Sequence, residues 1–152
     1  MPVMDVTYPA GALTDAARAT LVEELTTVLL RAERAPDTEF FRNVTWVYLH
    51  ELPGAAVLSA GRPVSAPTFR VDVTVPAGAL SDRRKQELVG EATRRVLDAA
   101  GLTQEHALRV MVLIRDVPEG NWGAAGTVIQ FEQLRQAAAH EREQAAASAP
   151  AG

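Results

Sequence analysis

Residues 6–15 read VTYPAGALTD and residues 73–82 read VTVPAGALSD, identical at eight of ten positions at a constant offset of 67. The match continues: Val22, Glu24, Thr26 and Leu30 recur as Val89, Glu91, Thr93 and Leu97. With the offset reduced to 65, Glu51, Pro53, Ala60 and Gly61 meet Asp116, Pro118, Ala125 and Gly126. A repeat of this length sets the architecture before any residue propensity is consulted.

Each copy opens with an extended segment. Phe69, Val71, Val73 and Val75 alternate with Arg70, Asp72 and Thr74, the period of a half-buried strand. Pro9-Ala-Gly-Ala and Pro76-Ala-Gly-Ala supply turn residues, and Thr14-Asp15 or Ser81-Asp82 can cap the helix that follows. Ala17, Leu21, Leu25 and Val28 in one copy, and Leu88, Ala92 and Val96 in the other, form an apolar stripe along that helix. Val44 to His50 and Arg109 to Arg115 read as second strands, each followed by a Pro/Gly segment that ends the unit in a turn or short hairpin.

The expected fold is therefore α/β, two tandem β-α-β units. Right-handed crossovers make the strands of a unit parallel, and two units side by side give a four-stranded mixed sheet with both helices on one face. The repeats span 2–66 and 69–131 within one domain, 1–136, and the Ala-rich stretch 137–152 is expected to be a flexible tail that begins as a short helix. The uncovered sheet face, carrying valine, methionine and aromatic residues, predicts burial by oligomerisation.

The chain has 152 residues, with Lys+Arg 15 against Asp+Glu 19 for a net charge of −4, so no global field attracts nucleic acid or an anionic membrane. No window reaches the roughly 18 apolar residues of a membrane span. Asp5 stands where a signal peptide would be apolar, which predicts a cytoplasmic protein, and the absence of cysteine removes thiolate and Cys-metal chemistry. Gly-x-Ser-x-Gly, Walker and His-Glu-x-x-His patterns are missing, and His50, His106 and His140 lack metal-ligand spacing, so neither metal nor cofactor is expected.

One residue breaks the repeat in a chemically pointed way. Pro2 is matched by Phe69, so only the first unit starts with proline. Removal of the initiator methionine would leave Pro2 a secondary amine at the head of a buried strand. An α-amino group titrates near 8, and desolvation lowers that value toward neutrality, which makes the amine a general base.

With Pro2, the duplication, MPVMDVTYPAGALT at the start and VMVLIRDVPEGNWGAAG at 110–126, the sequence resembles the tautomerase superfamily over residues 2 to about 131. Those proteins are built from β-α-β units and use an amino-terminal proline. The two-unit form is similar to macrophage migration inhibitory factor, cis-3-chloroacrylic acid dehalogenase and malonate semialdehyde decarboxylase, which implies a homotrimer acting on a small carboxylate. The resemblance implies Pro2 as base, Trp122 in Gly120-Asn121-Trp122-Gly123 as a pocket wall, and Arg70 as a carboxylate ligand. It places Glu39, in Pro36-Asp37-Thr38-Glu39, where the decarboxylase has an acidic pocket residue, and Arg34 near a pocket lysine of migration inhibitory factor. Trp46 and Met111, and Ala12 and Ala79, occupy positions where 4-oxalocrotonate tautomerase carries arginines.

The implied activity is enol–keto tautomerisation of a small 2-oxo or 2-hydroxy-enoic acid. A monoacid is expected to be preferred, its carboxylate on Arg70 and its apolar tail among Trp122, Met111 and Leu113. Two alternatives remain open: a proline-dependent hydratase, dehalogenase or decarboxylase in which Glu39 activates water, and an inactive trimeric binding module.

Overall fold

The computed structural model describes residues 2–148. β1 (Val3–Pro9), α1 (Asp15–Glu33), a short α2 (Glu39–Asn43) and β2 (Trp46–Leu52) form the first unit, closed by a hairpin of β3 (Leu58–Ser59) and β4 (Arg62–Pro63). The second repeats the order: β5 (Phe69–Pro76), α3 (Asp82–Ala99), β6 (Val110–Val117) and a hairpin of β7 (Gly123–Ala124) and β8 (Thr127–Val128). A last helix, α4 (Phe131–Ser148), follows.

The sheet order is β2-β1-β5-β6, with β1 parallel to β2, β5 parallel to β6, and β1 antiparallel to β5 across the unit boundary. This is the mixed four-stranded sheet expected from the repeat. The caps behave as their residue types dictate: Thr14 Oγ1 accepts from Ala17 N–H, and the Ser81 side chain accepts from Arg84 N–H. The paired helix-to-strand ties are also duplicated, Arg18 to Glu51 at 3.0 Å in the first unit and Lys85 to Asp116 at 2.6 Å in the second.

Alternation sorts the strands into two faces. Met4, Val6, Tyr8, Phe69, Val71, Val73 and Val75 are buried, together with Leu21, Leu25 and Leu29 of α1 and Leu88, Ala92 and Val96 of α3. The other face is left uncovered by the described residues. Its outer strands expose Trp46, Tyr48, Met111 and Leu113. Along its centre Asp5 lies directly opposite Asp72, a like-charge pair that on its own would be unfavourable. Arg70 Nε and an Arg115 guanidinium N–H meet Asp72 at 2.6 and 2.7 Å, and His50 Nε2 meets Asp5 at 2.6 Å.

The segment beyond 136, read from sequence as a short helix fading into a tail, is helical through Ser148. Phe131 N–H donates to Glu119 Oε1 at 3.0 Å, an acidic group at the helix start where the dipole favours it. Ala138 is buried against Leu30 of α1 and Phe41 of α2. Residues 149–152 and Met1 lie outside the described residues.

Candidate active site

Parallel pairing within each unit and antiparallel pairing between them bring different chain segments to each end of the sheet. Pro2 precedes β1, is buried, and accepts a hydrogen bond from Trp46 N–H at its carbonyl oxygen, 3.3 Å. Val3 is opposite Thr74, so Pro2 comes level with Val75 and lies next to the turn that starts at Pro76. The starts of β1 and β2 and the ends of β5 and β6 therefore share one end of the sheet.

A cavity of about 570 Å³ opens at that end. Glu33, Arg34 and Ala35 line it from the end of α1, Phe41 from α2, and Pro76, Gly78 and Ala79 from the β5–α3 turn. Arg84 of α3 lies on a further side, and α4 closes it with Phe131, Leu134, Arg135, Ala138 and Arg142 among others. Four arginines against two glutamates, Glu33 and Glu132, give the lining a positive excess suited to an anion.

Local structure explains how these groups are held. Arg84 Nη1 donates to the carbonyls of Ala32 and Ala79, 2.9 and 2.8 Å, joining the end of α1 to the β5–α3 turn. Arg42 clamps α2 onto α1 through Asp37, Glu23 and Thr27, which fixes Phe41 in the wall. The hydrogen bond from Arg42 holds the Asp37 carboxyl below its ordinary range. Arg34 caps α1 in the left-handed conformation, φ 57° and ψ 29°, its N–H turned back on Arg31 and Leu30 carbonyls. Its guanidinium has no hydrogen-bond or ion-pair partner among the described residues.

Glu33 has a raised pKa. Burial pushes its carboxyl above the ordinary value, only partly offset by the Arg84 guanidinium. Sequence reading passed over Glu33, as it did Arg84, Arg135 and Arg142. Its only available signal was the repeat, in which Glu33 and Arg84 are matched by Ala100 and Ala17.

Of the residues singled out from sequence, the fold brings Pro2 and Arg34 to the same end, and the β7–β8 hairpin that follows the end of β6 carries half-buried Trp122. Glu39 opens α2 near this end but is exposed and is not part of the cavity lining. Arg70 lies near the start of β5, opposite Thr7 and beside Met111 of β6, at the far end of the sheet, and Leu113 lies mid-strand beside Asp72. Within one chain these three do not meet Pro2. No group of three or more His, Asp or Glu side chains among the described residues is placed to hold a metal ion.

Residues 70–132, which include all of β5 but its first residue, the turn beside Pro2, and the second hairpin, match the family model described as Tautomerase enzyme. The second unit thus carries a tautomerase-family domain, and the chain as a whole matches fused, two-unit members of that superfamily. Among curated proteins, none matches this sequence. Among solved structures it is similar to a native fused 4-OT, 25% identical with a TM-score of 0.67, over 83% of this chain and 94% of that one. A fused 4-OT described as a wild-type symmetric trimer, Q0, is 24% identical with a TM-score of 0.69, covering 84% and 94%. N1, a member of the cis-3-chloroacrylic acid dehalogenase family, has a TM-score of 0.73 at 21% identity, covering 88% and 89%. These tautomerase relatives share the two-unit sheet with its helices on one face.

Proposed function

We propose that this tautomerase-superfamily protein is an enzyme that interconverts keto and enol forms of a small 2-oxo or 2-hydroxy-enoic acid, with Pro2 as the general base. The observation that carries this reading is the placement of a buried proline at the head of β1, beside the turn that lines an arginine-rich cavity. In a chain that begins at Pro2 the ring nitrogen is a secondary amine. Its buried surroundings favour the neutral form, so it can take a proton from carbon next to the carbonyl and return it to the enolate. Arg34, whose guanidinium has no partner among the described residues, binds the carboxylate and offsets the charge that develops on the enolate.

The active form in this reading is a homotrimer, in which neighbouring sheets cover the face carrying Trp46, Tyr48, Met111 and Leu113. Arg70, Met111 and Leu113 reach a Pro2 site only from a neighbouring subunit, and Trp122 walls it from the second hairpin. The substrate is a small carboxylate, and the compartment is cytoplasmic.

A second reading is favoured by one observation, a half-buried acid lining the cavity. With protonated Pro2 as acid and a carboxylate activating water, the same site would run a hydration, dehalogenation or decarboxylation. Glu33 lines the cavity while Glu39 stands outside it, so Glu33 is the better placed acid for that chemistry.

Three measurements decide between these outcomes. Intact mass establishes whether the purified chain begins at Pro2, and retention of Met1 would remove the basic amine and with it both enzymatic readings. Phenylpyruvate in deuterium oxide should exchange hydrogen at the carbon beside its carbonyl without being consumed. Release of carbon dioxide or halide from a suitable acid, without such exchange, would favour the second reading. A free Pro2 with neither reaction would leave a trimeric binding module.

A further inference from the structure

The four guanidinium groups around the cavity are not equivalent. Arg84 spends Nη1 on two backbone carbonyls, and Arg142 donates to the carbonyl of Arg34, fastening α4 to the end of α1. Arg34 and Arg135 remain. Arg34 has no side-chain partner among the described residues, and Arg135 meets only Glu132 of its own helix at 3.0 Å, with the two side chains 67% and 61% exposed. An exposed pair of that kind contributes little and is readily exchanged for a better anion.

These two cations come from different walls, the end of α1 and α4. The β5–α3 turn beside Pro2 offers none, since Ala79 stands there. We propose that α4 is part of the binding site, and that Arg135 receives the second carboxylate of a small dicarboxylic ligand whose first carboxylate is held by Arg34. The ligand carboxylate takes the place of Glu132 on Arg135. This reverses the monoacid preference expected from Ala12 and Ala79, because the cation missing from the turns is supplied by a helix that the repeat does not contain. The seat of α4 supports the assignment: buried Ala138 on Leu30 and Phe41, Phe131 within 3.8 Å of where a side chain on Gly78 would begin, and the Arg142 tie.

The inference rests on the proposed function for which cavity binds substrate, but its test needs no turnover. Two matched pairs of probes, muconate against sorbate and fumarate against crotonate, differ by a carboxylate exchanged for a methyl group. Calorimetric titration of the full-length protein should show the diacid bound more tightly in at least one pair. Arg135→Ala should weaken that diacid about tenfold, the size of a lost charge-assisted hydrogen bond, and leave the monoacid unchanged. Arg34→Ala should weaken both. Ala138→Glu, which forces a charge into the α4 seat, should reproduce the selective loss while the melting transition shows the sheet domain still folded. Equal affinity within both pairs, or an Arg135→Ala variant that keeps full diacid affinity, overturns the proposal. If Pro2→Ala retained turnover while the diacid preference and its loss in Arg135→Ala persisted, the role of Pro2 would fall and this assignment would stand.

Discussion

The two ends of the sheet descend from the same repeat, yet one is hollow and charged and the other is filled. At the first end Pro2 heads β1, Arg34 caps α1, and Glu33 and Arg84 face the cavity. Their counterparts at the second end are Phe69, Gly101, Ala100 and Ala17. Phe69 is buried with its ring centroid 6.2 Å from that of Tyr8, and Ala12, Ala17, Ala99, Ala100 and Leu102 pack against the core there. The internal copy acts as a control. Features common to both ends, such as the helix caps and the Arg18–Glu51 and Lys85–Asp116 pairs, are what the fold requires, and the features confined to the first end are the ones left for the proposed chemistry to use.

The cap of the first long helix shows this most sharply. Arg34 and Gly101 both adopt a positive φ, 57° and 65°, and both turn their N–H groups back on the preceding helix. Glycine is the ordinary residue there because a Cβ in the left-handed region costs on the order of 1 kcal/mol. An arginine that accepts this strain, lines the cavity and leaves its guanidinium without a partner among the described residues fits the anion-binding role proposed for it.

The largest effect should come from making the first end resemble the second at its reactive centre. Pro2→Ala is expected to lower tautomerase turnover by about 100-fold or more, the usual contribution of a positioned base, with the assembly unchanged by sedimentation. Undiminished turnover would erase the functional distinction between the ends. Next, Arg34→Gly should have opposite effects on two readouts. KM for a 2-oxo acid should rise about tenfold, while relief of the left-handed strain raises Tm by the equivalent of about 1 kcal/mol. The reciprocal change, Gly101→Arg, meets no steric obstacle, since nothing lies within 4 Å of the added Cβ, and should lower stability by about 1 kcal/mol with turnover unaffected. A KM response to Gly101→Arg would show that the second end also binds substrate.

The smallest effect concerns pH. Burial raises the Glu33 carboxyl above its ordinary value of 4.5, so the folded state binds a proton more tightly than the unfolded chain. Stability from this group is complete at pH below 4.5 and declines as pH rises through the raised value. Glu33→Gln should remove that decline, giving a Tm above wild type at neutral pH and a difference that vanishes in acid. Melting curves from pH 4 to 8 that run parallel for the two proteins would place Glu33 in water rather than in the cavity wall.

Much of this molecule was legible in the amino-acid sequence because the repeat and the alternation are local patterns with a direct physical reading. Phe69 to Val75 could be only a half-buried strand, VTYPAGALTD and VTVPAGALSD could be only strand–turn–helix, and Pro2 against Phe69 marked the one asymmetric strand head. What those patterns could not determine is which distant segments share an end of the sheet. That depends on antiparallel pairing of β1 with β5, which sets Val3 opposite Thr74 and so carries Arg70 away from Pro2 and the Pro76 turn toward it. The same holds for α4. Its Ala-rich composition gave weak hydrophobic patterning, so its seat on Leu30 and Phe41 emerges only once α1, α2 and the β5–α3 turn have been assembled into a surface small enough in relief to accept alanine. Charge placement followed suit: Glu33, Arg84, Arg135 and Arg142 are unremarkable along the chain and become one site only because tertiary packing points them into a common cavity.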